Sequence, residues 1–195
     1  MTNPYNSGAP TTAFNLIKKD NIYKSMMKTI PLLFLSLLWQ ITVAAQATTT
    51  ISSAEITFVY LSNDTDGSIS GFSSSSTIDT ENPSNSVFQG EVETKTIETG
   101  NFLRNWSLRG SKYFDADTFP KIKFASTSVA VTESGYEVKG KLTMKGVTKP
   151  ITITFARNGK KLAGSTTLYS SDFGINVKKK KEDNKVAVTM VFTLK

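Results

Sequence analysis

Apolar and polar positions alternate with unusual regularity in the second half of the chain. Tyr136, Val138, Gly140, Leu142 and Met144 fall on one side of an extended segment, with Glu137, Lys139, Lys141 and Thr143 on the other. Ile151, Ile153 and Phe155 alternate with Thr152 and Thr154, and Val186, Val188, Met190, Phe192 and Leu194 alternate with Ala187, Thr189, Val191 and Thr193. A period of two marks a half-buried strand, because successive side chains point to opposite faces of a sheet. Weaker versions of the pattern predict strands near Ile51–Leu61, Ser68–Ser74, Ser86–Ile97, Ile122–Val131 and Leu162–Ser170. In Ile122–Val131 the apolar phase slips between Phe124 and Val129, as a one-residue bulge would make it do. Gly135, Lys145-Gly146, Asn158-Gly159 and the run Lys178–Asn184 supply turn signals, and Pro150 is expected at a strand start, where a missing N–H is tolerated. Short links between neighbouring strands imply antiparallel pairing.

One stretch breaks the strand pattern. Asn101 to Gly110 begins with an N-cap residue and ends at a glycine, and Phe102 and Trp106 are four apart, on one helix face. A short helix is expected there, followed by an irregular aromatic segment from Tyr113-Phe114 to Phe119-Pro120. The expected fold is all-β, with about eight antiparallel strands and one short helix. The pattern fits an extended eight-stranded barrel or a sandwich, and a barrel of that size is just wide enough for one small ligand.

The first fifty residues read as an address. Ile30–Val43 is an apolar run preceded by Lys28 and followed by Ala44-Ala45-Gln46-Ala47, the order of a secretory signal peptide. A membrane anchor is the alternative, but fourteen helical residues rise only about 21 Å against a hydrocarbon core of roughly 30 Å. No cysteine follows to carry a lipoprotein anchor. The expected organisation is an unstructured leader or unused upstream start over 1–25, a signal peptide over 26–47 cleaved after Ala47 or Ala45, and one domain over 48–195, periplasmic or secreted. A domain that size buries roughly 70% of its unfolded surface.

Composition narrows the chemistry. The chain has no cysteine and no histidine, which removes disulfides, Cys- and His-based zinc sites and Ser-His or Cys nucleophile machinery. The net charge is +7, but from residue 48 onward 19 basic residues face 15 acidic ones. The body of the domain is therefore nearly balanced, unlike a nucleic-acid footprint. The expectation is a binding protein, monomeric or homodimeric, that is not an enzyme and needs no cofactor or metal; the alternative is an extracellular interaction or stress-related module whose barrel is filled by its own side chains and holds no ligand.

Three segments carry a family likeness. Leu108–Phe124, LRGSKYFDADTFPKIKF, resembles the middle of the YceI-like family: a Leu-Arg pair, two aromatics and an Asp, an aromatic-Pro, then a Phe. Gly140–Pro150, GKLTMKGVTKP, resembles its G-x-L-T-x-x-G-V-T-K-P signature, and Ser171–Ile175 resembles its S-D-F-G-I element. They occur in the family's order and cover roughly residues 51–195. The resemblance implies a lipocalin-like barrel, exported to the periplasm, that binds long isoprenoid chains in its interior. One departure stands out: many members carry a His just before the Leu-Arg pair, where this chain has Ser107.

Candidates to line an apolar interior are Phe72, Phe88, Phe102, Trp106, Phe114, Phe119, Phe124, Leu142, Met144, Phe155, Leu168 and Phe173; the plainer reading of each is ordinary core. Arg104, Arg109 and Lys112 are candidates for a ligand headgroup, since an Arg fork matches a pair of phosphate oxygens. Asp115 and Asp117 are the nearest thing to a catalytic carboxylate pair, though a turn rich in Asp explains them as well, and Asp172 reads as a turn residue. Lys178, Lys179, Lys180 and Lys181 form either a soluble hairpin loop or a transient contact with anionic membrane. Asn63-Asp64-Thr65 and Asn105-Trp106-Ser107 match glycosylation sequons.

Overall fold

The structure, a computed structural model, describes residues 47–195. The predicted leader lies outside these residues except for Ala47, whose carbonyl accepts from the Thr80 backbone N–H (3.0 Å) and hydroxyl (2.8 Å).

The alternating segments all become strands. The elements are β1 (Thr48–Thr49), β2 (Ile51–Tyr60), β3 (Thr65–Ile69), β4 (Ser73–Ser74), β5 (Ile78–Asp79), β6 (Gln89–Glu93), helix α1 (Phe102–Arg109), β7 (Lys121–Thr132), β8 (Gly135–Met144), β9 (Val147–Asn158), β10 (Lys161–Tyr169) and β11 (Lys185–Leu194). Nine strands form one antiparallel sheet in the order β3-β2-β11-β10-β9-β8-β7-β6-β4, and β1 pairs with β5 in a small ribbon. The sheet curls strongly into a half-barrel, with α1 on the β6–β7 connection.

The expected eight-stranded barrel is corrected to a half-barrel whose main sheet has nine strands. The segment expected as one strand, Ser68–Ser74, is two, broken at Gly71 with φ +70°. Ser86–Ile97 is a strand only over Gln89–Glu93, after which Thr94–Thr96 turns in a 3-10 step. The two edge strands are consecutive in the chain, and that step is tied to the β3 edge. Ser68 and Glu98 exchange backbone hydrogen bonds of 2.8 and 3.0 Å, and the Ser70 N–H donates to Thr96 Oγ1. Such ties occupy backbone groups that an edge strand would otherwise leave open to foreign chains.

The expected bulge is present: the β7–β8 register shifts between Ser126 and Ser128. Lys145 and Gly146 both take positive φ, 49° and 75°, which turns β8 into β9 in two residues. Gly135 is not a turn residue; it opens β8 under the Phe155 carbonyl, where a Cβ would lie 2.0 Å from that oxygen. Pro150 sits four residues into β9 rather than at its start. It is tolerated because β10 pairs with β9 only over residues 154–158, leaving that edge of Pro150 outside a ladder.

The lower end of the half-barrel is closed by a packed core. Phe88, Tyr136, Phe155 and Phe192 sit there with Ile78, Val138, Leu162 and Leu194. Phe88 stacks on Phe155 with ring centroids 5.2 Å apart, and Phe72 on Phe192 at 5.4 Å, contacts that add to area burial. Two interior glycines make room for the rings: a Cβ on Gly140 would meet Phe124 Cζ at 2.4 Å, and one on Gly164 would meet Phe155 Cε1 at 2.4 Å. A second, smaller cluster of Met144, Phe173 and Ile175 packs at the opposite end with Tyr113, Phe114 and Leu168.

Candidate functional site

Between the two clusters the inward-facing side chains do not close the space. Ile56, Phe58, Ile69, Phe124, Leu142, Ile151 and Val188 occupy the inward phase of their strands, yet each is only half-buried. A close-packed interior would bury them fully. They line a cavity of about 460 Å³, within the size range of small-ligand sites. Its floor is the lower aromatic core, through Phe72, Phe88, Phe155 and Phe192. Asn63, Thr65, Thr99, Arg104, Ser107, Tyr113 and Ser170 supply polar lining toward the other end, and Ser76, Gln89, Glu91 and Lys123 supply more elsewhere along the wall. Asn63, Arg104 and Ser107 are exposed as well as lining, so the cavity meets solvent there.

Eight of the expected lining residues face this space: Phe72, Phe88, Phe114, Phe124, Leu142, Met144, Phe155 and Leu168. Four do not. Phe173 is buried in the upper cluster, and Phe119 packs over Gly146 at the β8–β9 turn. Phe102 and Trp106 share a helix face, as their spacing predicts, but that face points outward: they are 78% and 73% exposed. The helix is pinned by its polar side instead. Asn101 caps it by accepting from the Arg104 N–H. Buried Asn105 donates to Glu98 and accepts from the N–H and hydroxyl of Thr99. Glu98 also accepts from the Gly100 N–H, and these hydrogen bonds, Asn105's above all, hold its carboxyl below the ordinary range. With its amide committed and only 4% exposed, Asn105 is closed to glycosylation, whereas Asn63 is exposed.

The three candidate headgroup cations part company. Arg104 lines the cavity mouth; its Nη1 makes one long contact, 3.5 Å, to the Thr99 carbonyl, and among the described residues no carboxylate pairs with it. Arg109 lies outside the cavity lining and donates through Nη2 to the Ile97 carbonyl at 2.9 Å, an anchor for the end of the helix. Lys112 lies over the Tyr113 ring, 5.3 Å from its centroid, and does not line the cavity. Asp115 and Asp117 do not line it either: Asp115 takes φ 48° in a turn, and Asp117 pairs with Lys95 at 2.7 Å on the surface. Asp172 pairs with Lys181.

The most organised polar feature at the mouth was not visible in the sequence. Asn184, fully buried, accepts through Oδ1 from the Tyr60 hydroxyl (3.0 Å) and from the N–H groups of Val177 and Lys178 (2.9 Å each). Its amide donates to the carbonyls of Lys178 and Lys180. One side chain thereby fixes the lysine loop against the end of β2. Burial, helped by the charge of Asp183, keeps the Tyr60 hydroxyl above its ordinary pKa despite a hydrogen bond with Ser62. By contrast, Ile56, Phe58, Val186 and Val188 line the cavity on the inward phase of β2 and β11, a phase that the alternation of β11 makes legible.

The chain matches the model of the YceI-like domain over residues 39–194. Over 87 residues it is 37% identical to a UPF0312 protein of Yersinia pestis and 36% identical to one of Yersinia enterocolitica. The match spans 45% of this chain and 45% of the Y. pestis protein, a little under half the length of each. Among solved structures it is similar to BcnA of Burkholderia cenocepacia, with TM-score 0.60 and 23% identity over 71% of this chain and 94% of that one. It is also similar to the YCEI protein of Campylobacter jejuni, with TM-score 0.53 and 17% identity over 66% and 82%. At those identities the likeness concerns the fold. The family match covers nearly all of the described residues, and the chain belongs to the YceI-like domain family.

Proposed function

We propose that the protein is an exported carrier that holds an isoprenoid or similar apolar lipid along the half-barrel interior, the tail toward the aromatic floor and the polar end at the mouth. The supporting observation is the unclosed stretch of half-buried apolar side chains between the two packed clusters. Along β11 the lining runs from Val186 to Phe192, about 20 Å at roughly 3.4 Å per residue. A cavity of about 460 Å³ lined with apolar side chains over that length suits an extended hydrocarbon chain. Each CH₂ taken from water contributes about 0.8 kcal/mol, offset in part by the cost of ordering the chain. Apolar burial discriminates little, so selectivity would fall to Arg104, Ser107 and Tyr113 at the mouth. Ser107 stands where many family members have His, so the polar end is met by a hydroxyl and a guanidinium. Arg104, which has no carboxylate partner among the described residues, is suited to a phosphate. Export rests on the signal-peptide reading of residues 26–47.

Val188→Trp tests this reading. Placed mid-channel, the indole should cut uptake of an added polyprenyl phosphate at least tenfold while leaving the unfolding midpoint nearly unchanged, because it fills existing space. A loss of about 1–3 kcal/mol, the usual cost of overpacking, with uptake unaltered would show that the interior is already full.

A further inference from the structure

Helix α1 carries its apolar residues on the wrong side for a helix that serves only the core. Arg104, Ser107 and Leu108 face the cavity, while Phe102, Leu103 and Trp106 are 78%, 72% and 73% exposed. At 100° per residue the exposed three fall within one 100° arc, and the cavity-facing three fall within a separate one beside it. They form a single outward apolar ridge. It is held firmly: Asn101 caps the helix, buried Asn105 is bonded to Glu98 and Thr99, and Arg109 donates to Ile97. A stretch that merely failed to pack would not be anchored on three sides.

The ridge stands at the end of the half-barrel where the cavity opens, and a cationic loop stands at the same end. The strand ends place them together: Glu93, Lys121, Met144 and Val147 lead to α1 and the β8–β9 turn, and Tyr60, Tyr169 and Lys185 flank the 170–184 loop on the same edge. Val177, next to the lysines, lines the same cavity as Arg104. Lys178, Lys179 and Lys180 are exposed, and among the described residues no carboxylate lies within ion-pair distance of them. Glu182 and Asp183 follow in a short 3-10 turn without pairing to them, and Lys181 is held by Asp172. The buried amide of Asn184 fixes the backbone that carries these lysines.

From this we infer that the mouth of the half-barrel docks on an anionic phospholipid bilayer, with Phe102, Leu103 and Trp106 entering the interfacial layer and Lys178, Lys179 and Lys180 resting on the headgroups. An exposed Trp beside aliphatic and aromatic neighbours suits the headgroup–acyl boundary, where an indole's apolar body and polar N–H are both satisfied. The lysines supply the charge complement to an anionic surface. In this pose the cavity mouth faces the bilayer, so an apolar molecule would pass between membrane and cavity without crossing bulk water. The docking surface itself does not depend on what the cavity holds, and a protein with a filled interior would still dock.

The test uses the full chain carrying Trp39→Phe, which leaves Trp106 as its only tryptophan. It is mixed with vesicles of equal phosphatidylglycerol and phosphatidylcholine, and with phosphatidylcholine alone. The inference expects a blue shift of Trp106 emission and quenching by brominated lipid on the anionic vesicles. Affinity should fall about a hundredfold when Lys178, Lys179 and Lys180 are all replaced by Ser, from a factor of about five per lysine. A double change of Phe102→Ser and Leu103→Ser, which keeps the reporter, should abolish the quenching without moving the thermal unfolding midpoint. Binding that the double change leaves intact would place the contact elsewhere, the apolar run at 30–43 included, and would overturn the inference. So would an absence of binding, or a dimer in sedimentation that the double change dissolves, which would make a second copy of the chain the occupant of the ridge.

Discussion

Gly164 shows how narrowly single residues set this interior. A methyl group there would meet Phe155 Cε1 at 2.4 Å and Met190 Cγ at 2.8 Å, in the densest part of the floor. Gly164→Ala is therefore expected to cost about 1–3 kcal/mol, read as a lower denaturant midpoint with an unchanged slope. Asn184 acts in the opposite sense, by supplying bonds where the backbone has none. Asn184→Ala strands the Val177 and Lys178 N–H groups and the Tyr60 hydroxyl. A loss of about 1–3 kcal/mol is expected, with faster amide exchange confined to residues 177–184 as the distinguishing sign. Tyr60 adds a pH dependence. Its folded pKa is raised, so the stability it contributes is complete below the unfolded value of about 10 and is lost as pH rises through the higher folded value. The stability difference between wild type and Tyr60→Phe should stay constant below about pH 10 and shrink only above it; a difference that changes with pH near neutrality would refute that assignment.

At the scale of elements, the strands were legible and the helix was half legible. Alternation in β8, β9 and β11 predicts both the strands and their inward faces, and the slipped phase of Phe124 and Val129 locates the bulge at Ser126–Ser128. β4 is only two residues long and rests on backbone pairing to Gly90 and Glu91, which leaves no periodicity to read. For α1 the spacing of Phe102 and Trp106 correctly gives one shared face. The usual assumption that an apolar face turns inward fails, because the inward side is fixed by Asn105 and Arg109. Polar anchoring of this kind depends on Glu98, whose backbone is held by Ser68 of β3, and has no period. It also titrates. Glu98 has a depressed folded pKa, so its contribution is present above the unfolded carboxylate value of about 4.5 and is lost as pH falls through the folded one. Trp106 emission anisotropy, followed in the Trp39→Phe background, should fall as pH drops below about 4.5, before global unfolding. Glu98→Gln should show the lower anisotropy already at neutral pH.

For the whole molecule, sequence pattern says which side chains point inward but not whether they meet. Ile153 and Ile151 occupy the same phase of β9, yet one is buried in the floor and the other half-buried against the cavity. That difference arises from the curl of nine strands and from the aromatic rings gathered at one end, both long-range properties. It is also what makes a carrier reading physical rather than inherited from the family. The most direct measurement of that reading is native mass spectrometry, with organic extraction, on the protein purified after export from a bacterial host. The account predicts a stoichiometric extra mass that extracts as a polyprenyl or quinone-like lipid, and that is absent from Val188→Trp. A clean apo mass, with no uptake of added polyprenyl phosphate or quinone, would contradict it.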